Sequence, residues 1–123
     1  MIIIGDKLVP STEPFKIFNI EDIKNTEANS TLYFLFNDEI LKYCFENSLD
    51  FAVKIESIKE AIYANALNAK YIIAEKKLAK KVQKIAENYM FDSKVLAIIE
   101  TNDEFEDIAK VEIDGVIYKE SLV

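Results

Sequence analysis

The chain has 123 residues, half of them apolar, with only 2 Gly and 2 Pro, which excludes a disordered or low-complexity segment and suits one domain with an ordinary core. Its net charge of −7 makes it a poor global match for DNA or an anionic membrane, since both favour basic surface. The absence of His removes the commonest general base and metal ligand, and the single cysteine, Cys44, excludes an internal disulfide and fits a cytoplasmic compartment. The apolar start, Met1 to Ile4, is too short for a signal-peptide core, and no apolar run approaches the ~20 residues of a membrane span.

Ile2-Ile3-Ile4, Gly5-Asp6 and Leu8-Val9 predict a small N-terminal β-hairpin with Gly5 in the turn. Pro10 to Pro14 is a connector. Phe15 to Phe18 predicts a short strand, Asn19 caps a helical turn from Ile20 to Lys24, and Asn25 to Ser30 is a polar loop. Thr31 to Phe36 is the most emphatic strand. It is apolar without alternation, so both of its faces should be covered.

Asn37 then stands where an N-cap belongs, ahead of Ile40, Leu41, Cys44, Phe45 and Leu49 at helical spacing. Phe51 to Ile55 is the next strand. Ser57 to Glu60 forms a capping box for a helix whose buried stripe is Ile58, Ala61, Ile62 and Ala66, and Asn68 ends it in the left-handed region. Tyr71 to Ala74 is a strand. Lys76 to Met90 is an amphipathic helix with Leu78, Val82, Ile85, Ala86 and Tyr89 on one side. Val95 to Ile99 follows, then a second capping box, Thr101 to Glu104, and a helix face of Phe105, Ile108 and Ala109. Asp114-Gly115 suits either a hairpin turn or a helix-to-strand connection; the upstream alternation of strands and helices favours the connection.

Two apolar runs flanking one helix make a β-α-β unit, which forces parallel strands. The order therefore predicts one α/β domain over residues 1–123, with a hairpin and connector over 1–14 and β-α repeats over 15–123. The expected architecture is a three-layer open sheet, mainly parallel, with helices on both faces, built from repeats of the flavodoxin or Rossmann-like kind. A closed eight-fold barrel needs roughly 200 residues or more. Locally, Val53 to Ile73, with Ser57-Ile58-Lys59-Glu60-Ala61 and Asn68-Ala69-Lys70-Tyr71-Ile72-Ile73, resembles a β-α-β segment of the aldolase-type barrel enzymes. That resemblance implies a capped helix between parallel strands and carries no activity with it.

In an open parallel sheet, ligands bind outside the carboxyl ends of the strands. Those ends carry Asn37, Asp38, Glu56, Ser57, Glu75, Lys77, Thr101 and Asn102, which are candidates for a polar-ligand site. The same residues also serve as caps and first-turn acids, which free amides and the helix dipole favour without any ligand. Phosphate sites need Gly at the strand-to-helix turn, and none of these turns has one, so neither a nucleotide nor any other cofactor is expected. Glu75-Lys76-Lys77 fits half of a metal-dependent nuclease site, whose second carboxylate has to come from Glu56 or Asp50. With no His and one Cys, no metal is expected. Cys44 sits on an apolar helix face with no His to activate it.

The lysines are the sharpest feature. Lys76, Lys77, Lys80, Lys81 and Lys84 fall on one face of their helix. From Lys70 to Lys94 there are seven Lys against Glu75, Glu87 and Asp92, a local balance of +4 in a chain of −7, so the remainder carries −11. Such segregation suits a docking face for an acidic partner, an RNA or an anionic ligand, or a solvated helix face. The functional expectation is a non-catalytic binding or interaction module that self-associates or takes a protein partner. The competing class is a small enzyme or ligand-binding domain working at the strand ends.

Overall fold

The computed structural model describes residues 1–123. Seven strands and four α-helices follow in chain order: β1 (Ile2–Ile4), β2 (Phe15–Lys16), β3 (Leu32–Leu35), α1 (Asp38–Glu46), β4 (Phe51–Lys54), α2 (Ile58–Ala66), β5 (Tyr71–Ala74), α3 (Lys76–Asn88), β6 (Lys94–Ile99), α4 (Phe105–Lys110) and β7 (Gly115–Tyr118). One sheet takes them all in the order β1-β7-β6-β5-β4-β3-β2. Every pairing is parallel, so all seven carboxyl ends lie along one edge. The fold is α/β with a curled, all-parallel sheet, consistent with the Rossmann-like class.

From β2 to β7, strands consecutive in sequence are neighbours in the sheet. Right-handed crossovers between nearest neighbours place their helices on the same face. The core follows that rule. Phe34, Val53, Ile72, Ala97 and Val116 on one sheet face share a buried cluster with Leu41 and Cys44 of α1, Ala61 and Ala64 of α2, Val82 of α3 and Ile108 of α4. Phe34 and Phe51 stack within it, 5.5 Å between centroids. The alternate strand residues Tyr33, Ala52, Ile73, Leu96 and Ile117 form a second cluster with Leu122 of the C-terminal 3-10 turn (Lys119–Leu122); no α-helix residue belongs to it, so the helices expected on both faces lie on one. On the β2 side Leu35 and Phe18 stay exposed.

The helix ends repeat one device. Ser48, Asn68, Met90 and Glu112, each two residues past a helix, have φ of 52°, 68°, 51° and 57°. Asn37 and Ser57 are N-caps as expected, accepting from Ile40 N and Glu60 N. Glu60 reaches past Ser57 and accepts from Glu56 N instead, at 2.8 Å. In α2 the buried positions are Ala61 and Ala64, whereas Ile62 and Ala66, expected inside, are exposed.

The N-terminal hairpin is not formed. β1 pairs parallel with β7, Ile2 opposite Gly115, and Leu8 and Val9 join no strand. Gly5 does take a left-handed turn, at φ 92°. It leads into a loop in which Asp6 Oδ1 accepts from Leu8 N at 2.8 Å. The distant partner prevails because pairing with β7 buries Ile4 beside Ile117, whereas a hairpin would leave that surface wet. Gly115 opens β7, so Asp114-Gly115 is a helix-to-strand connection.

Candidate functional site

Local sequence decides how the carboxyl edge is furnished. Each strand ends in a polar residue that begins a helix or turn, and most of those residues are occupied by backbone. Asn37 and Ser57 cap α1 and α2. Glu56 pairs with Lys54 at 3.3 Å, and Asp38 lies exposed in the first turn of α1. Glu75 precedes α3 but makes no side-chain cap bond, and Lys77 is exposed beside it. Glu104 Oε2 accepts from Glu100 N at 2.6 Å and from Thr101 N at 3.1 Å, which completes the predicted turn.

The edge does not gather all of these residues. A cleft of about 400 Å³ between β5, β6 and β7 brings together Glu75, Lys76, Glu100, Thr101, Glu104 and Lys119. Asn102 lines an adjoining cleft with Asp6, Lys7 and Tyr118. Asn37, Asp38, Glu56 and Ser57 line neither. Asp50 precedes β4 and so stands at the opposite edge from Glu75, which removes it as the second nuclease carboxylate. No three metal-ligating side chains converge anywhere.

Sequence reasoning placed Glu100 at this edge but missed Asp6, Lys119 and Tyr118. Recognising β1 and β7 as neighbours would have found them, because Tyr118 ends β7, Lys119 follows it, and Asp6 lies two residues past β1.

Most charges along the cleft are matched, Glu75 excepted. Lys76 Nζ donates to Glu104 Oε1. That bond, with the amides of Glu100 and Thr101, holds the Glu104 carboxyl down at about 2 and raises Lys76. Lys119 and Glu100 lie 4.0 Å apart. Tyr118 Oη donates to Asp6 Oδ2 at 2.5 Å, which lowers the Asp6 carboxyl and pushes the phenol up to about 12. Burial pushes the Cys44 thiol up to about 11, away from the thiolate a nucleophile needs.

The basic helix is different. α3 buries Ala79, Val82, Gln83 and Ala86, while Lys76, Lys77, Lys80, Lys81 and Lys84 are exposed. The ion pairs of the structure engage Lys54, Lys76 and Lys119. Lys77, Lys80, Lys81 and Lys84 therefore have no carboxylate within pairing distance. Lys76 and Lys77 occupy the first turn, where the helix dipole disfavours cations, and that turn holds no acid of its own. Glu104, from the neighbouring connection, offsets the penalty for Lys76 alone.

No protein-family model and no curated protein sequence matches the chain. No helix is long and apolar enough to cross a membrane.

Proposed function

We propose that the protein is a non-catalytic interaction module whose lysine face on α3 docks an acidic protein partner. The supporting observation is the contrast between two polar surfaces. At the carboxyl edge, Lys76 and Lys119 each have a carboxylate partner, and Asn37, Ser57 and Glu104 serve the backbone. On α3, Lys77, Lys80, Lys81 and Lys84 stand free in a chain of −7. Like charges at i, i+3 and i+4 repel, so a solvated face gains nothing from carrying four of them. A cytoplasmic setting belongs to the same proposal and rests on the lone, buried Cys44.

The test is a pull-down from lysate with wild type and with Lys77, Lys80, Lys81 and Lys84 all replaced by Gln, at two salt concentrations. Exposed pairs contribute about 0–1 kcal/mol each, so the cluster must change as a unit. Wild type should recover an acidic protein less well at high salt, and the variant should recover little at either. Identical recovery from both proteins contradicts the reading.

A second reading, a small ligand at the carboxyl edge, is favoured by one observation: Glu75 is exposed, uncapped and unpaired beside Lys76 and Thr101 in the same cleft. Native mass spectrometry retaining a small molecule that Glu75→Gln releases would select it.

A further inference from the structure

The rotation of α2 and α3 about their axes is fixed by bonds to the sheet. On α2, Asn65 Oδ1 accepts from Ser93 N, just ahead of β6, at 3.2 Å. Because β6 lies beyond β5 from β4, this turns the Asn65 side of α2 toward α3. On α3, Gln83 Oε1 accepts from Asp114 N, just ahead of β7, at 2.9 Å, and Lys76 reaches Glu104. Both bonds turn that side of α3 toward α4, so its opposite flank faces α2.

At about 100° per residue, Ile62 lies about 60° and Ala66 about 100° outward from Asn65, on the α3 side of α2. Leu78, Ile85 and Tyr89 lie about 120–160° from Gln83, on the α2 side of α3. Since α2 packs against α3, helix geometry places Ile62, Leu78, Ile85 and Tyr89 along the outer seam between the two helices, with Ala66 on the solvent side of it. The seam is partly open to water: Ile62 is 51% exposed and Tyr89 77% exposed, while Leu78, packed on the core, and Ile85 are half-buried. Its rims are basic, with Lys59 on α2 and Lys81, Lys77 and Lys84 on the ridge of α3. No acid stands against them. Glu60 is turned back onto Glu56 N, and Glu87 falls on the α4 side of α3.

We infer that this seam receives an amphipathic, acidic helix of a partner protein, its apolar stripe laid between α2 and α3 and its carboxylates against Lys59, Lys77, Lys81 and Lys84. The inference rests on the docking reading above and adds the partner's shape. An apolar floor between basic rims matches the helix-in-groove mode of recognition, with anchors at i, i+3, i+4 and i+7. It does not match an RNA backbone, which would leave Ile62 and Tyr89 in water.

The experiment uses the full chain and three synthetic peptides of about 20 residues, long enough to form a helix. One carries a Leu stripe with Glu elsewhere. The second has the same composition, shuffled to destroy the stripe. The third keeps the stripe with Lys for Glu. Fluorescence anisotropy should show the striped acidic peptide binding at least about tenfold more tightly than the shuffled one, and no binding of the basic one. Ile62→Ser with Tyr89→Ser, both at exposed positions, should weaken the striped peptide about tenfold and leave the shuffled peptide unchanged. Lys77→Gln with Lys81→Gln and Lys84→Gln should weaken both acidic peptides.

Equal affinity for striped and shuffled peptides, unaffected by the apolar double variant, overturns the seam while leaving lysine docking intact. Failure of the striped peptide to bind also overturns it. So does a concentration-dependent dimer in sedimentation that the apolar double variant abolishes, which makes a second copy the occupant.

Discussion

Lys76 and Glu104 tie the first turn of α3 to the entry of α4, the lysine Nζ donating to the carboxylate Oε1. Glu104 Oε2 meanwhile receives the amides of Glu100 and Thr101, so one side chain organises two connections at the carboxyl edge.

This carboxylate makes the protein sensitive to acid. Its folded value is depressed from 4.5 to about 2 by the Lys76 bond first and the two amides after it. A depressed carboxylate stabilises the fold above its unfolded value and loses that contribution as protons are added. The window therefore runs from 4.5 down through about 2. Glu104→Gln should lower the urea midpoint at about pH 7, and the deficit should shrink through the window and vanish only below about pH 2, where the Glu104 carboxyl becomes neutral. A deficit of the same size at about pH 7 and below about pH 2 would mean that geometry, and not charge, does the work.

Gly115 is a packing requirement. A Cβ there would lie 2.5 Å from Ile2 O, 2.6 Å from Ile2 Cβ and 2.8 Å from Leu96 Cδ2. Two of those contacts belong to the edge strand β1, which is free to yield. Gly115→Ala should cost about 1–3 kcal/mol, the usual penalty for overpacking. It should also speed amide exchange at Ile2–Ile4 more than at β4 or β5. Uniform destabilisation without selective loosening of β1 would contradict the assigned pairing.

Met90 is a site where glycine would help. It is 84% exposed and sits at φ 51° beyond α3. The left-handed region costs a side-chain-bearing residue about 1–2 kcal/mol, part of which glycine returns through its looser unfolded chain. Met90→Gly should therefore raise the thermal midpoint, with a gain of about 0.5–1 kcal/mol. Asn68→Gly, at the equivalent place after α2, should gain less, because Asn tolerates that conformation.

What the sequence made legible follows from how local each signal is. Tyr71 to Ala74 and Val95 to Ile99 announce buried parallel strands because each is apolar on both faces. Asn37, Ser57 and Asn68 announce helix ends because each acts within four residues of itself. The pairing of β1 with β7 is a contact between chain ends, so Ile2–Ile4 looked like half of a hairpin with the nearer Leu8 and Val9. Ile62 looked buried because apolar spacing fits several rotations of a short helix. The bond from Asn65 to Ser93 chooses one that turns Ala61 and Ala64 inward and Ile62 out. The lysine face was legible as a cluster, but its freedom from carboxylates was not, since pairing depends on which helices are neighbours.

The claim that partners dock on the α2–α3 surface and not at the carboxyl edge is tested most directly by hydrogen–deuterium exchange. The measurement compares the free protein with its complex with the partner recovered in the pull-down. Protection confined to Ile58–Ala66 and Lys76–Asn88, and lost when Lys77, Lys80, Lys81 and Lys84 become Gln, is the predicted result. Protection centred on Glu75, Glu100, Thr101 and Lys119, with α2 unchanged, would contradict it and move the functional site to the strand ends.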